Sequence, residues 1–283
     1  MVSRVVSLKH FARYIYNIQK NDFDVLGVVS GFTGIGKSTF SIMLQTEHSK
    51  VSGLDWDLSH LTWSRGELLN WINGEGNNKE GQLPDYSAII SDELFMMFYK
   101  RNWFNTEQQE ALGVLKSCRD RHLFILGNIP NFWELDKNFS NQVGFYIYIP
   151  KRGEALIFQQ ENNAFSDDTW NRRINMKLFA SGDIEKSINF LFKVYFNDLS
   201  SELKAEYLSL RNRKRVSDML SNKIVALESY KTIKLREAYL IQEVFRLWDS
   251  LGRKHINKDL SIPLGTSVEY VRRQKEVVLP TKL

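Results

Sequence analysis

Gly31-Phe32-Thr33-Gly34-Ile35-Gly36-Lys37-Ser38 is the stretch on which the reading of this chain turns. It fits G-x-x-x-x-G-K-[ST], a glycine loop whose backbone N–H groups cradle nucleotide phosphates. Its flanks suit that use. The apolar run Val25-Leu26-Gly27-Val28-Val29 leads in and reads as a buried strand, and Thr39 to Gln45 follow at helical spacing. Glycines let the backbone curl so that its N–H groups face phosphate oxygens, and the start of the helix behind them adds positive potential. On this reading Gly31, Thr33, Gly34, Ile35, Gly36, Lys37, Ser38 and Thr39 form the cradle. Lys37 reaches the β- and γ-phosphates, and Ser38 holds Mg²⁺.

A second motif stands about 60 residues further on. Ile89-Ile90-Ser91-Asp92-Glu93 is an apolar strand that delivers two acids to the edge where phosphates bind in open α/β sheets. Asp92 is placed to orient Mg²⁺ through a bound water, and Glu93 to act as general base toward the attacking water. A third strand, His122-Leu123-Phe124-Ile125-Leu126-Gly127, ends at Asn128 and is stopped by Pro130. It is expected beside the Asp92 strand, with the Asn128 amide facing the γ-phosphate as a sensor; the alternative is an Asn that serves only the turn before Pro130. Arg119 and Arg121 precede this strand. Either could supply a cation to the developing charge across an oligomer interface, or could simply favour the end of a helix.

The chain around these motifs alternates strands and helices over its first 160 or so residues. An opening helix in residues 1–20 packs beside the first strand, although its basic, mildly amphipathic character also fits an organelle presequence. A short strand at His60–Trp63 and a helix over Gly66–Ile72 follow the phosphate loop. Gly74 to Gly81 is a polar glycine/asparagine loop, and Tyr86–Ser91 is the Asp92 strand. A helix runs from Thr106 to Arg121. Val143–Ile149 and Ala155–Gln159 read as a hairpin around Lys151-Arg152-Gly153-Glu154, and from Phe165 the pattern turns mixed and then helical. There are no internal repeats. The expected fold is α/β: a mainly parallel P-loop NTPase sheet of the RecA-like kind, flanked by helices, in residues 1–198. A smaller, basic helical region fills residues 199–283.

Composition bounds the partners. With 43% apolar residues in 283, the chain can bury a sizeable core. No run approaches the ~18 apolar residues of a membrane span, so a cytoplasmic protein is expected. One cysteine, Cys118, excludes an internal disulfide and fits a reducing compartment. Residues 201–283 hold 17 Lys/Arg against 10 Asp/Glu, whereas residues 1–200 hold 21 against 23. The basic rear, including Arg211-Asn212-Arg213-Lys214-Arg215, suits either a polyanion such as nucleic acid or a solvated helical face.

A strand and a helix between the phosphate loop and Asp92-Glu93, a glutamate beside the magnesium acid, and a polar residue on the next strand resemble one branch of P-loop ATPases. That branch has an additional strand and a catalytic glutamate. No N/T-K-x-D guanine signature is present, which favours ATP over GTP. More specifically, Ile89–Glu93, Arg119-Asp120-Arg121-His122, Leu123–Asn128, Leu135-Asp136 and the strands after Val143 resemble the zonula-occludens-toxin-like family. That family belongs with the virus- and plasmid-encoded DNA-packaging and translocating ATPases of the HerA–FtsK superfamily. The similarity spans roughly Leu26 to Gln160. Where those proteins often carry a Gln after the sensor strand, this chain has Asn128-Ile129-Pro130. The resemblance implies an Mg-ATP-driven motor on double-stranded DNA, of viral, phage or mobile-element origin. It further implies a homo-oligomer such as a ring, with a capsid or portal as a partner. No cluster of spaced acids supports two-metal nuclease chemistry.

The C-terminus adds a candidate DNA contact. Apolar residues at helical spacing over Tyr239–Leu251 end at Gly252. Ile256 to Lys275 then resembles a helix-turn-helix with its turn near Leu264-Gly265. Thr266 or Ser267 caps the second helix, and Val268 and Val271 face inward. Tyr270, Arg272, Arg273 and Lys275, with Glu269, are left for the outer face toward DNA. Pro263 departs from the usual motif, and a small bundle docking on a protein is the alternative. The leading expectation is a DNA-packaging or translocating ATPase. Its rivals are an ATP-dependent DNA-binding switch in replication or partition and a nucleotide-gated assembly or secretion ATPase without DNA.

Overall fold

The computed structural model describes residues 5–74, 81–92, 94, 98, 106–161, 168–214, 238, 241, 242, 244–246 and 268–275. The strands are β1 (Val5–Val6), β2 (Val25–Ser30), β3 (Leu61–Thr62), β4 (Ala88–Ser91), β5 (Phe124–Ile129), β6 (Phe145–Lys151), β7 (Glu154–Gln159) and β8 (Phe190–Tyr195). The helices are α1 (Leu8–Lys20), α2 (Lys37–Ser52), α3 (Arg65–Asn73), α4 (Thr106–Ser117), the single turn α5 (Lys137–Ser140), α6 (Arg172–Ala180), α7 (residues 201–214) and α8 (Val268–Lys275).

All eight strands join one sheet in the order β1-β8-β7-β6-β2-β5-β4-β3. Every pairing is parallel except those of β7, so β7 alone runs against the rest. Every residue of β2, β4 and β5 is buried, as parallel strands covered on both faces must be. β2 shows how the two faces divide. Val25 and Val29 join an apolar core with Phe11, Ile15, Phe40 and Leu44 of α1 and α2. Leu26 and Val28 join the opposite core with Leu68 and Ile72 of α3 and Ala111 and Leu115 of α4. The sheet is therefore the middle of three layers.

Local chemistry sets the helix starts. The Ser7 side chain accepts from the His10 N–H to begin α1. Ser64 and Glu67 form a reciprocal capping box on α3, a device that stabilises a helix start by about 1 kcal/mol. The expected helix through Arg121 ends as α-helix at Ser117. Cys118–Arg121 tighten into a 3₁₀ turn, and His122 closes it at φ 50°. The strand expected from His122 accordingly begins at Phe124 and runs on to Ile129. The expected strands at His60–Trp63 and Tyr86–Ser91 shorten to β3 and β4. Two strands went unforeseen: β1 is two residues long, and β8 has a mixed buried and half-buried pattern without clean alternation.

The chain divides into two compact units, Met1–Tyr207 and Leu208–Leu283. In the second, Ile241, Phe245 and Val271 form a small buried cluster, with Val244 and Tyr270 packed against it. Among the described residues, no helix is long and apolar enough to cross a membrane.

Candidate nucleotide site

The strand order brings the motifs together. β5 lies between β2, which carries the phosphate loop, and β4, which carries Asp92. Val25–Ser30 pairs in register with Phe124–Ile129, and Ala88–Ser91 with Phe124–Gly127. The three strands therefore end level, so Gly31, Asn128 and Asp92 share one edge. Leu94 fills the space over Gly127, where an added Cβ would overlap the Leu94 side chain. Glycine is needed there because the residue after Glu93 seats against β5. Glu93 itself lies outside the described residues.

The loop is wound on left-handed glycines, with φ of 150° at Gly31, 81° at Gly34 and 108° at Gly36. A Cβ at Gly31 would stand 2.8 Å from the Ile149 carbonyl oxygen. Gly36 caps α2 without a side-chain hydrogen bond, which leaves the first-turn N–H groups directed outward, as an anion site requires. Lys37 folds back over the loop and donates from Nζ to the Gly31 and Phe32 carbonyls at 2.8 and 3.1 Å. Thr33 and Gly34 are exposed at the tip, and Ile35, Ser38 and Thr39 are half-buried.

Asp92 is the hub. Its Oδ1 accepts from Ser38 Oγ and from Asn128 Nδ2, both at 2.7 Å. Its Oδ2 accepts from the Tyr207 hydroxyl at 2.9 Å. The Asn128 Oδ1 accepts from Ser41 Oγ at 2.6 Å. Because a carboxylate only accepts, these contacts fix the Asn128 amide with its NH₂ toward Asp92. The Ser38 hydroxyl at a helix start and the Asp92 carboxylate beside it are hard oxygens of the kind that suit Mg²⁺, the serine as a ligand and the acid through a bound water, with phosphates completing the shell. The residues present therefore fit the metal. Among the described residues no group of three or more His, Cys, Asp or Glu could hold one without the nucleotide's help.

The expectation for Asn128 changes. Asn128 is buried and bonded at both ends, so its amide positions Asp92 rather than standing open toward a phosphate. Arg119 and Arg121 precede β5, at the edge of the sheet opposite the loop, so neither reaches this chain's own phosphates. Arg121 donates to the Ile72 and Leu83 carbonyls and pairs with Asp85 at 3.2 Å. Arg119 lies near Asp24, whose carboxyl burial raises and Arg119 partly lowers. An arginine not singled out from sequence does border the loop. A Cβ on Gly36 would meet Arg152 Cγ at 3.9 Å and the Phe196 ring at 3.7 Å, and the Arg152 guanidinium is held by Asp198 at 2.7 Å.

Sequence reasoning also passed over Ser41 and Tyr207. Ser41 was within reach, being one helical turn past Lys37 on the same face. Tyr207 carries no local signal. In the C-terminal unit, Val271 is fully buried as expected, but Tyr270 is half-buried against the small cluster instead of lying on the outer face. Arg272 and Arg273 are exposed, and both pair with Glu269, at 2.9 and 3.2 Å. Thr266, Ser267 and the expected turn lie outside the described residues, as does the Lys275 side chain.

A phosphate loop, an additional strand between it and the acidic strand, and an acid bonded to the loop's Ser38 define a P-loop NTPase of the additional-strand branch. No family model matches the chain, and no curated protein matches it. Solved structures similar to it include the genome-packaging NTPase B204 of Sulfolobus turreted icosahedral virus 2 in complex with ATP-gammaS. That match has 14% identity and a TM-score of 0.32, and covers 48% of this chain and 92% of that one. The N-terminal domain of zonular occludens toxin from Neisseria meningitidis matches at 12% identity and a TM-score of 0.29, covering 71% and 96%. PCH-2 of C. elegans matches at 12% and 0.34, covering 62% and 47%. The class itself rests on this chain's own strand order and loop.

Proposed function

We propose that this chain is a magnesium-dependent ATPase that acts on double-stranded DNA, packaging or translocating the genome of a virus, phage or mobile element. The observation that carries the enzymatic part is the Ser38–Asp92–Asn128 cluster, set beside the Lys37 loop on one sheet edge. The loop N–H groups and Lys37 bind and orient the β- and γ-phosphates, Lys37 exchanging its two loop carbonyls for phosphate oxygens. Ser38 and Asp92 would hold magnesium, which would offset the negative charge that develops in the transition state. Glu93, next in sequence to Asp92, takes a proton from the attacking water. The DNA part is supported by the basic rear of the chain and by the exposed Arg272 and Arg273. A homo-oligomer would let Arg119 serve a neighbouring site.

The test is ATP turnover with and without duplex DNA, read alongside assembly size. Glu93→Gln is expected to cut turnover by roughly 10²–10⁴-fold while ATP still binds, and Lys37→Ala to abolish binding. Turnover unchanged in Glu93→Gln would remove the assigned chemistry. ATPase activity that duplex DNA neither binds nor stimulates at low salt would leave an assembly ATPase instead. Displacement of a triplex strand separates a motor from a switch.

A further inference from the structure

Tyr207 lies 115 residues from Asp92 in the chain, yet its hydroxyl donates to Asp92 Oδ2 at 2.9 Å. Its ring is buried, at 6% exposure, so the contact is built into the fold. The residue belongs to α7, and the second compact unit begins at the very next position, Leu208. One peptide bond therefore separates the partner of the metal acid from the start of the C-terminal unit.

The carboxylate can be accounted for oxygen by oxygen. Oδ1 already takes Ser38 and Asn128. A serine oxygen that coordinates a cation keeps its O–H, so the Ser38 bond to Oδ1 survives metal binding. A water on the metal must then find Oδ2, the oxygen with a single donor, and that donor is Tyr207. A carboxylate oxygen has lone pairs for two donors, as Oδ1 shows, but two donors share one oxygen's charge, so each bond on Oδ2 is weaker than it would be alone. We propose that Tyr207 is a positioning residue that competes with the metal-bound water for Asp92 Oδ2. Filling the metal site thereby loosens the hold of the nucleotide site on α7. This rests on the nucleotide-site reading above and adds what filling that site does to α7.

The probe is a fluorescent, non-hydrolysable ATP analogue titrated with Mg²⁺ against the full chain. Tyr207→Phe keeps the buried ring and removes only the hydroxyl. Losing one hydrogen bond from the acid is expected to lower the half-saturating Mg²⁺ by about fivefold, with analogue affinity in chelator unchanged. Hydrogen exchange over residues 203–211 supplies a second readout that needs no variant. In the natural chain it should rise when Mg²⁺ and analogue are added together. In Tyr207→Phe it should already be raised and should no longer respond. A half-saturation that stays or increases in Tyr207→Phe, or exchange in the natural chain that ignores the ligand, overturns the proposal while leaving the nucleotide site standing. If the natural chain binds the analogue with no dependence on Mg²⁺, the metal reading falls and the role of Tyr207 falls with it.

Discussion

Arg121 spends its guanidinium on the fold. It ties the carbonyls of Ile72, at the end of α3, and Leu83, before β4, to the turn that enters β5, and its side chain is only 12% exposed. Removing it takes the arginine donor from the Leu83 carbonyl and leaves the Ile72 carbonyl with the Gln82 amide alone. Arg121→Ala should therefore destabilise the chain by about 2–4 kcal/mol in urea unfolding, while ATP turnover per folded molecule is retained. Collapse of turnover with unchanged unfolding would instead make Arg121 a finger acting on a neighbour. This residue marks where sequence reading stops. Gly31, Lys37, Ser38 and Asp92 were legible because their chemistry is local: φ above zero, a cation at a fixed offset, an acid at a strand end. An arginine before a strand has the same local signature whether it serves catalysis or ties a helix end and a loop together. Only the placement of β5's start, at the edge away from the phosphates, decides between them. Tyr207 was invisible for a related reason, since no periodicity connects it to Asp92.

The junction of α1, α2 and β5 rests on a buried polar pair rather than on apolar contact alone. His48 of α2 is 1% exposed, faces the Phe124 ring, and its Nε2–H donates to Gln19 Oε1 at 2.6 Å. The Gln19 amide in turn donates to the Tyr86 and His122 carbonyls, so α1 is tied to two loops at the start of the sheet. Burial pushes the His48 pKa down from 6.5 to about 4. The sign follows from linkage: between those values the unfolded chain binds a proton that the folded chain refuses. Stability is then full above about pH 6.5 and is lost as pH falls toward 4, by about 3 kcal/mol for this group. Unfolding midpoints from pH 7 to 4.5 should fall more steeply in the natural chain than in His48→Gln, whose amide still offers a donor to Gln19. Equal slopes would show that His48 does not set the acid limit. At this scale the sequence was a good guide to β2, β4, β5 and the β6–β7 hairpin, because buried parallel strands and hairpins leave apolar runs. It missed β1 and β8, which are paired at the far edge and owe their existence to a neighbour rather than to their own pattern.

Across the whole chain, charge separates a nearly neutral sheet region from a basic rear, and the DNA reading depends on how that charge is presented. Arg272 and Arg273 are exposed on α8, yet both are bound to Glu269 on the same helix, whose carboxyl they hold below the ordinary carboxylate range. The two arginines and their shared acid therefore present about one net positive charge where the arginines alone would present two. If this face meets phosphates, the acid restrains binding, and two opposite outcomes follow. Arg272→Glu with Arg273→Glu should weaken duplex binding and flatten the plot of log affinity against log salt by about 1.8, the loss of two phosphate contacts. Glu269→Gln should tighten binding, most strongly at low salt, because it releases both guanidinium groups without adding a contact of its own. A solvated basic face with no DNA on it moves in neither direction, and a helix that docks on protein responds to both variants without any dependence on DNA. Fluorescence anisotropy with a labelled duplex from 50 to 300 mM salt, about a twofold change in Debye length, reads the three cases apart. Tightening in Glu269→Gln is the more demanding result, because general damage to the fold cannot produce it.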